Sequence, residues 1–121
     1  MTKTVLCVDD SASSRAMMAF ALKPHGYTVV QAVDGTDGLS KMGAHKIDLV
    51  ISDLNMPKMN GIEMIQAIRD DNRFDGVPII LMTADGQKDE MHKYKVVGIT
   101  GWISKPFKLR EICSLAKKLI G

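Results

Sequence analysis

The chain has 121 residues, 45% of them hydrophobic and 25% charged, with a formal net charge of +2. These values fit one globular domain with a core large enough to stand without staples, and they give no compositional reason to expect nucleic-acid or membrane binding. No run nears the roughly 18 apolar residues of a membrane span, and the first apolar run is too short for a signal peptide.

In chain order, five apolar runs alternate with five amphipathic stretches: "TVLCV" (4–8), "YTVVQAV" (27–33), "IDLVIS" (47–52), "VPIILM" (77–82) and "GWIS" (101–104). Three of them are almost continuous in Val, Ile and Leu, which suits strands covered on both faces and hence a parallel sheet. The first helix is expected over 13–23, with Met17, Phe20 and Ala21 on one face and Pro24 closing it. The second is expected over 36–44 with Leu39 and Met42 on one side, and the third over 61–70 through Ile62, Ile65 and Ile68. The fourth, over 86–96 through Met91 and Tyr94, is lowered in helix propensity by Tyr94, Val96 and Val97. The fifth, over 108–120, repeats through Leu109, Ile112, Cys113, Ala116, Leu119 and Ile120. Turn signals such as "DGTDG", "MPKMNG" and "TADG" separate the elements. The alternation predicts a single-domain α/β fold, a doubly wound (βα)5 open parallel sheet, with ligand chemistry beyond the carboxyl ends of its strands.

Cys7 and Cys113 sit in apolar patterns without CxxC spacing and are expected to be buried, reduced thiols of a cytoplasmic protein. The nine methionines read as core filler. Charge is unevenly spread: residues 1–85 carry eight basic and eleven acidic side chains, residues 86–121 eight and three. The basic end is either a solvated helix surface or a docking face.

The strand ends carry the chemistry. The first strand runs into Asp9-Asp10, the third into Asp53, the fourth into Thr83, and the fifth into Ser104 and Lys105-Pro106. Each has a plain structural explanation: Asp9-Asp10 before "SASSR" could simply favour a helix N-terminus capped by Ser11 or Ser13, and Asp53 could be a turn residue. Together they place three carboxylates, a hydroxyl and an ammonium on one rim. Crowded carboxylates raise each other's pKa unless a cation neutralises them. Hard oxygen donors without His or Cys favour Mg²⁺ or Mn²⁺, and a lysine and a hydroxyl beside them could hold phosphoryl oxygens.

"VDD", "ISDLNMPKMNG", "LMTAD" and "GWISKPF", in this order across residues 3–120, resemble the signature segments of response-regulator receiver domains, closest to single-domain chemotaxis regulators of the CheY type. The resemblance implies a flavodoxin-like sheet of order 2-1-3-4-5 and a receiver domain over 1–121 without an output domain. It implies that Asp53 accepts a phosphoryl group from a sensor histidine kinase. Asp10 and Asp53 would bind Mg²⁺ directly, Asp9 through water, and Asn55 through its backbone carbonyl. Lys105 and Thr83 would hold the phosphoryl group, and Trp102, where Tyr or Phe is usual, would change rotamer. Asn55 and Asp85 would tune attack by water, and their small polar side chains favour a phosphoryl lifetime of seconds to minutes.

Asn60-Gly61 replaces a frequent Asp-Gly and suits the same turn, while Val97 and Ile99 are bulkier than usual around Gly98. A partner face is expected around Lys88, Lys93, Lys95, Trp102, Lys108 and Lys117, suited to an acidic peptide or helix. The implied protein is a cytoplasmic monomer that does not turn over a substrate beyond its own phosphorylation and dephosphorylation. Its output partner would be a protein such as a flagellar motor switch component. Alternatives are a phosphate sink in a phosphorelay, an excised receiver of a larger transcription regulator, a metal-dependent hydrolase, or a phosphorylation-independent adaptor.

Overall fold

The computed structural model describes residues 2–84 and 98–121. Within them the apolar runs form β1 (Thr4–Val8), β2 (Thr28–Ala32), β3 (Leu49–Asp53), β4 (Ile79–Thr83) and β5 (Gly101–Ser104). They pair in parallel in the order β2-β1-β3-β4-β5. Every residue of the central strands β3 and β4 is buried, which explains their unbroken apolar sequence. The edge strands β2 and β5 are only partly buried, with exposed positions at Thr28, Gln31 and Trp102. Strand order reverses at β1, which lies between β2 and β3, so a crevice opens beyond the carboxyl ends of β1 and β3.

The helices are α1 (Ala12–Leu22), α2 (Gly35–Ala44), α3 (Gly61–Arg69) and α4 (Leu109–Ile120). The expected helix over 86–96 lies outside the described residues. Helix starts are fixed by local chemistry: Ser11, Asp34 and Asn60 each accept a backbone N–H from the first turn. At α3 the capping is reciprocal, Glu63 N–H donating to Asn60 Oδ1 at 2.9 Å and Asn60 N–H to Glu63 Oε1 at 3.1 Å. After α1 a 3₁₀ turn over Lys23–His25 contains Pro24 and ends at Gly26, whose φ of 90° favours glycine.

The sheet divides the core into two layers. Val5, Cys7, Ile51 and Met82 meet α1 and α4 on one side, and Leu6, Val50, Ile79 and Leu81 meet α2 and α3 on the other. Each fully buried Leu, Ile or Met contributes about 1.5–3 kcal/mol. Met18, Met42, Met64 and Met82 are buried, as filler should be. Cys7 is buried as expected, whereas Cys113 is only partly buried and donates its thiol to the Ala21 carbonyl at 2.7 Å.

One expectation is corrected. Met17 and Phe20 do not share a face with the buried Ala21: Met18, Ala19, Ala21 and Leu22 are buried, while Met17 is 47% and Phe20 71% exposed. The segment "AMMAFAL" is apolar nearly all round, so periodicity marks two overlapping faces and only the helix position over β1 selects one.

Candidate functional site

Parallel strands deliver their ends to one rim. Asp53 is the last residue of β3 and Thr83 the last of β4, while Asp9 follows β1 and Lys105 follows β5 directly. Asp9, Asp53 and Thr83 are buried, and Asp10 is exposed. One carboxylate oxygen from each of Asp9, Asp10 and Asp53 lies within 4.8 Å of the others.

Lys105 bridges two of them. Its Nζ is 3.0 Å from Asp9 Oδ2 and 3.1 Å from Asp53 Oδ2. Burial pushes the Asp53 carboxyl above the ordinary range, with Lys105 working against that shift and the Asp9 charge adding to it. Burial also opposes the Lys105 ammonium, but the hydrogen bonds and charges of Asp9 and Asp53 outweigh it and hold this lysine above its usual value. Breaking such a buried pair on one side leaves an uncompensated charge and costs more than the pair contributes.

Asp9 is braced from both ends. Its Oδ1 accepts the Ser11 N–H at 2.9 Å, and its carbonyl accepts from Arg15 Nη1 at 2.7 Å. Arg15 also reaches Gln31 Oε1 on β2 at 3.3 Å. Sequence reasoning missed Arg15. The available signal was a cation in the first turn of a helix, where the dipole disfavours it unless a partner holds it.

The β3–α3 loop is shaped by close approach. Gly61 is buried and donates its N–H to the Leu54 carbonyl at 3.0 Å. A Cβ there would collide with the Asp53 carbonyl and stand 3.0 Å from Leu81 Cδ1. Gly61 is therefore required for contact rather than for an unusual φ; the left-handed position is Lys58, at φ 66°. Asn55 is exposed and its N–H points to Asp53 Oδ1 at 3.4 Å.

Thr83 Oγ1 is buried and has no hydrogen-bond partner among the described residues. An unpaired buried hydroxyl is costly, so this one is a donor free to pair with an acceptor brought to it. The register pairs Leu81 with Trp102 and Thr83 with Ser104, so the pleat places Thr83 and Trp102 on one face. Trp102 is 38% exposed.

Lys108 is exposed just before α4, its N–H bonded to Glu111 Oε1 at 3.1 Å, and Lys117 is exposed further along the helix. Asp85, Lys88, Lys93 and Lys95 lie outside the described residues, as does Val97. The donor set of the cleft suits a hard divalent cation. It offers three carboxylates and no sulfur or imidazole, and Lys105 alone does not balance them.

An open parallel α/β sheet with clustered carboxylates and a half-buried lysine beyond its strand ends defines a class of small domains built to handle a cation and an anionic group together. The chain belongs to the response regulator receiver domain family, which it matches over residues 5–117. It is 30% identical to the chemotaxis protein CheY of Pseudomonas aeruginosa, covering 95% of this chain and 94% of that protein. To the chemotaxis protein CheY1 of Helicobacter pylori it is 37% identical, covering 85% of each. It is also 34% identical to hybrid signal transduction histidine kinase D of Dictyostelium discoideum, but spans only 7% of that protein. Among solved structures, chemotaxis response regulator CheY4 of Vibrio cholerae superimposes with a TM-score of 0.92 at 35% identity, over 99% of this chain and all of that one. The flavodoxin-like fold and order 2-1-3-4-5 implied by the resemblance are thus both met. Receiver domains are in general signalling modules rather than turnover enzymes. Among the described residues no helix is long and apolar enough to cross a membrane.

Proposed function

We propose that Asp53 accepts a phosphoryl group from the phosphohistidine of a sensor kinase, and that the phosphorylated chain signals by changed affinity for a partner protein. The observation that carries this reading is the Lys105 ammonium held between Asp9 and Asp53 at 3.0 and 3.1 Å. An Asp53 oxygen attacks phosphorus, an O–P bond forms, and the N–P bond to the kinase imidazole breaks. Asp10, Asp53 and the Asn55 carbonyl would hold Mg²⁺ (Mn²⁺ would serve) directly and Asp9 would act through water, in keeping with its commitments to Ser11 and Lys105. When bound, the ion neutralises charge on the transferring group. Lys105 moves from the carboxylate pair onto one phosphoryl oxygen, and Thr83 supplies its unused hydroxyl to another. Trp102, on the same face as Thr83, moves with it. Asn55 and Asp85 set the access of water, so that the chain removes its own phosphoryl group without further turnover.

The partner face comprises Lys88, Lys93, Lys95, Trp102 and Lys108, and its target is an acidic protein segment such as one from a flagellar motor switch component. The chain works in the cytoplasm, as a monomer, through protein partners rather than a membrane or nucleic acid, as a receiver domain over 1–121. Coverage of 94% of the Pseudomonas CheY supports the chemotaxis-regulator reading. The 7% span within a hybrid kinase favours a second one, in which such a receiver is a piece of a larger relay protein or a phosphate sink.

The test is phosphorylation by acetyl phosphate with Mg²⁺, read by intact mass, for the native chain and Asp53→Asn. The native chain gains one phosphoryl group, and the variant gains none. Equal gain by the variant overturns the assignment.

A further inference from the structure

The outward face of α1 is apolar where a helix surface should be polar. Phe20 is 71% exposed and Met17 47%. Burying a ring of this size contributes about 1.5–3 kcal/mol, so leaving it in water forgoes stability that a polar residue would not. Phe20 also borders a groove of about 480 Å³ between α1 and α4, floored by Ala21, Leu109 and Cys113. A second depression of about 400 Å³ also borders Phe20 and is lined by Ala16, Ala19 and Lys23. Phe20 and Pro24 thus border two adjoining apolar hollows, which a partner with projecting apolar side chains can fill.

The rim of this groove has one sign. Arg110 and Lys117 line it, Lys23 lines the adjoining depression, and no carboxylate is among the lining residues. Among the described residues neither Lys23, Arg110 nor Lys117 forms an ion pair, the pairs being Lys41–Asp37, Arg73–Asp71 and those of Lys105 with Asp9 and Asp53. Unpaired cations around an apolar floor favour a partner with acidic flanks and disfavour a second copy of this chain, which would bring an identical basic rim against the first.

We infer that the α1–α4 groove docks an acidic amphipathic helix, its apolar stripe packed on Phe20, Leu109 and Cys113 and its carboxylates facing Lys23, Arg110 and Lys117. Helix-in-groove recognition of this kind draws affinity from the apolar anchors and choice of partner from the rim charges. The groove contains none of the rim residues at the phosphoacceptor cleft, so docking there is independent of Asp53. The chain would then carry a tethering surface separate from its switch.

The test uses three synthetic helical peptides of about 15–20 residues sharing one Leu/Phe stripe, with Glu, Gln or Lys at the remaining positions, titrated into the intact chain and followed by amide NMR shifts. The Glu peptide is expected to bind at least tenfold more tightly than the Lys peptide and to shift Phe20, Ala21, Leu109 and Cys113. Phe20→Ala, at an exposed position that leaves folding intact by circular dichroism, weakens it at least tenfold. Arg110→Glu with Lys117→Glu inverts the order of the peptides. Asp53→Asn leaves all affinities unchanged, so failure here and failure of the phosphoacceptor reading are told apart. Equal binding of the three peptides overturns the proposal, as do shifts confined to another face. Self-association in sedimentation that Phe20→Ala abolishes would assign the groove to a second copy. Phe20-dependent flotation with anionic vesicles and no preference for the Glu peptide would assign it to a membrane surface, and either result overturns the proposal.

Discussion

Lys105 is tied to Thr83 through the main chain, its N–H donating to the Thr83 carbonyl at 2.7 Å. This bond continues the β4–β5 ladder one step past the last paired residues, Thr83 and Ser104. The two backbone positions that carry the ammonium and the hydroxyl proposed for the phosphoryl group are thereby held together, and only their side chains are left to move.

Thr83 can be tested through its unused hydroxyl. Removing an unsatisfied buried hydroxyl costs little, since no bond is lost. Thr83→Ala is expected to leave the unliganded melting temperature unchanged or slightly higher. Its affinity for a beryllofluoride phosphoryl analogue should fall about tenfold, the equivalent of one hydrogen bond to a charged group. Thermal melts with and without the analogue separate the two effects. A large loss of unliganded stability would show that Thr83 is structural.

Gly61 is the steric keystone of the loop. Gly61→Ala forces its Cβ into the Asp53 carbonyl and against Leu81, so we expect a loss of about 2–3 kcal/mol from overpacking. Denaturant unfolding measures it. Asn60→Ala, which removes only the cap beside it, should cost about 1 kcal/mol. If the two variants are equally mild, close approach at Gly61 is not what fixes the loop.

Trp102 is the chain's single tryptophan, which makes its emission an unambiguous reporter. Addition of Mg²⁺ and the beryllofluoride analogue is expected to change its intensity and its quenching by iodide in the native chain and in neither Asp53→Asn nor Lys105→Ala. An unchanged spectrum in the native chain, with analogue binding established by calorimetry, would remove Trp102 from the switch.

Asp37 supplies a pH test away from the cleft. Its carboxyl is held below the usual range first by the Val33 N–H, then by the hydrogen bond and charge of Lys41, with burial opposing them. The bonds measure 3.0 and 3.2 Å. A depressed folded-state pKa gives stability that is present above the unfolded value and lost as pH falls through the folded one. Asp37→Asn should therefore lower the melting temperature by a few degrees at neutral pH and leave it unchanged in strong acid, where both chains are neutral there. A constant difference at every pH would place the effect in packing.

Much of the fold was legible because the central strands are buried on both faces and so announce themselves as unbroken apolar runs. Their boundaries were less so. The third and fourth strands begin two residues later than their apolar runs, because Ile47 and Val77 pack against the core without joining the ladder. The cleft was legible because its groups end strands or follow them directly, where sequence order maps onto space. Two things were not. The inward face of α1 is chosen by the sheet beneath it, not by a helix apolar on every side. Arg15 braces Asp9 across a distance that no local pattern encodes.

The pleat of β5 also has a parity. Trp102 and Lys105 are three positions apart, an odd interval, so the chain presents them to opposite layers of the molecule. A single residue inserted between them would leave every side chain chemically intact and turn the indole and the ammonium toward the same layer. Their division between the two layers is thus written in a count, and it is lost by an insertion that alters none of the cleft's residues.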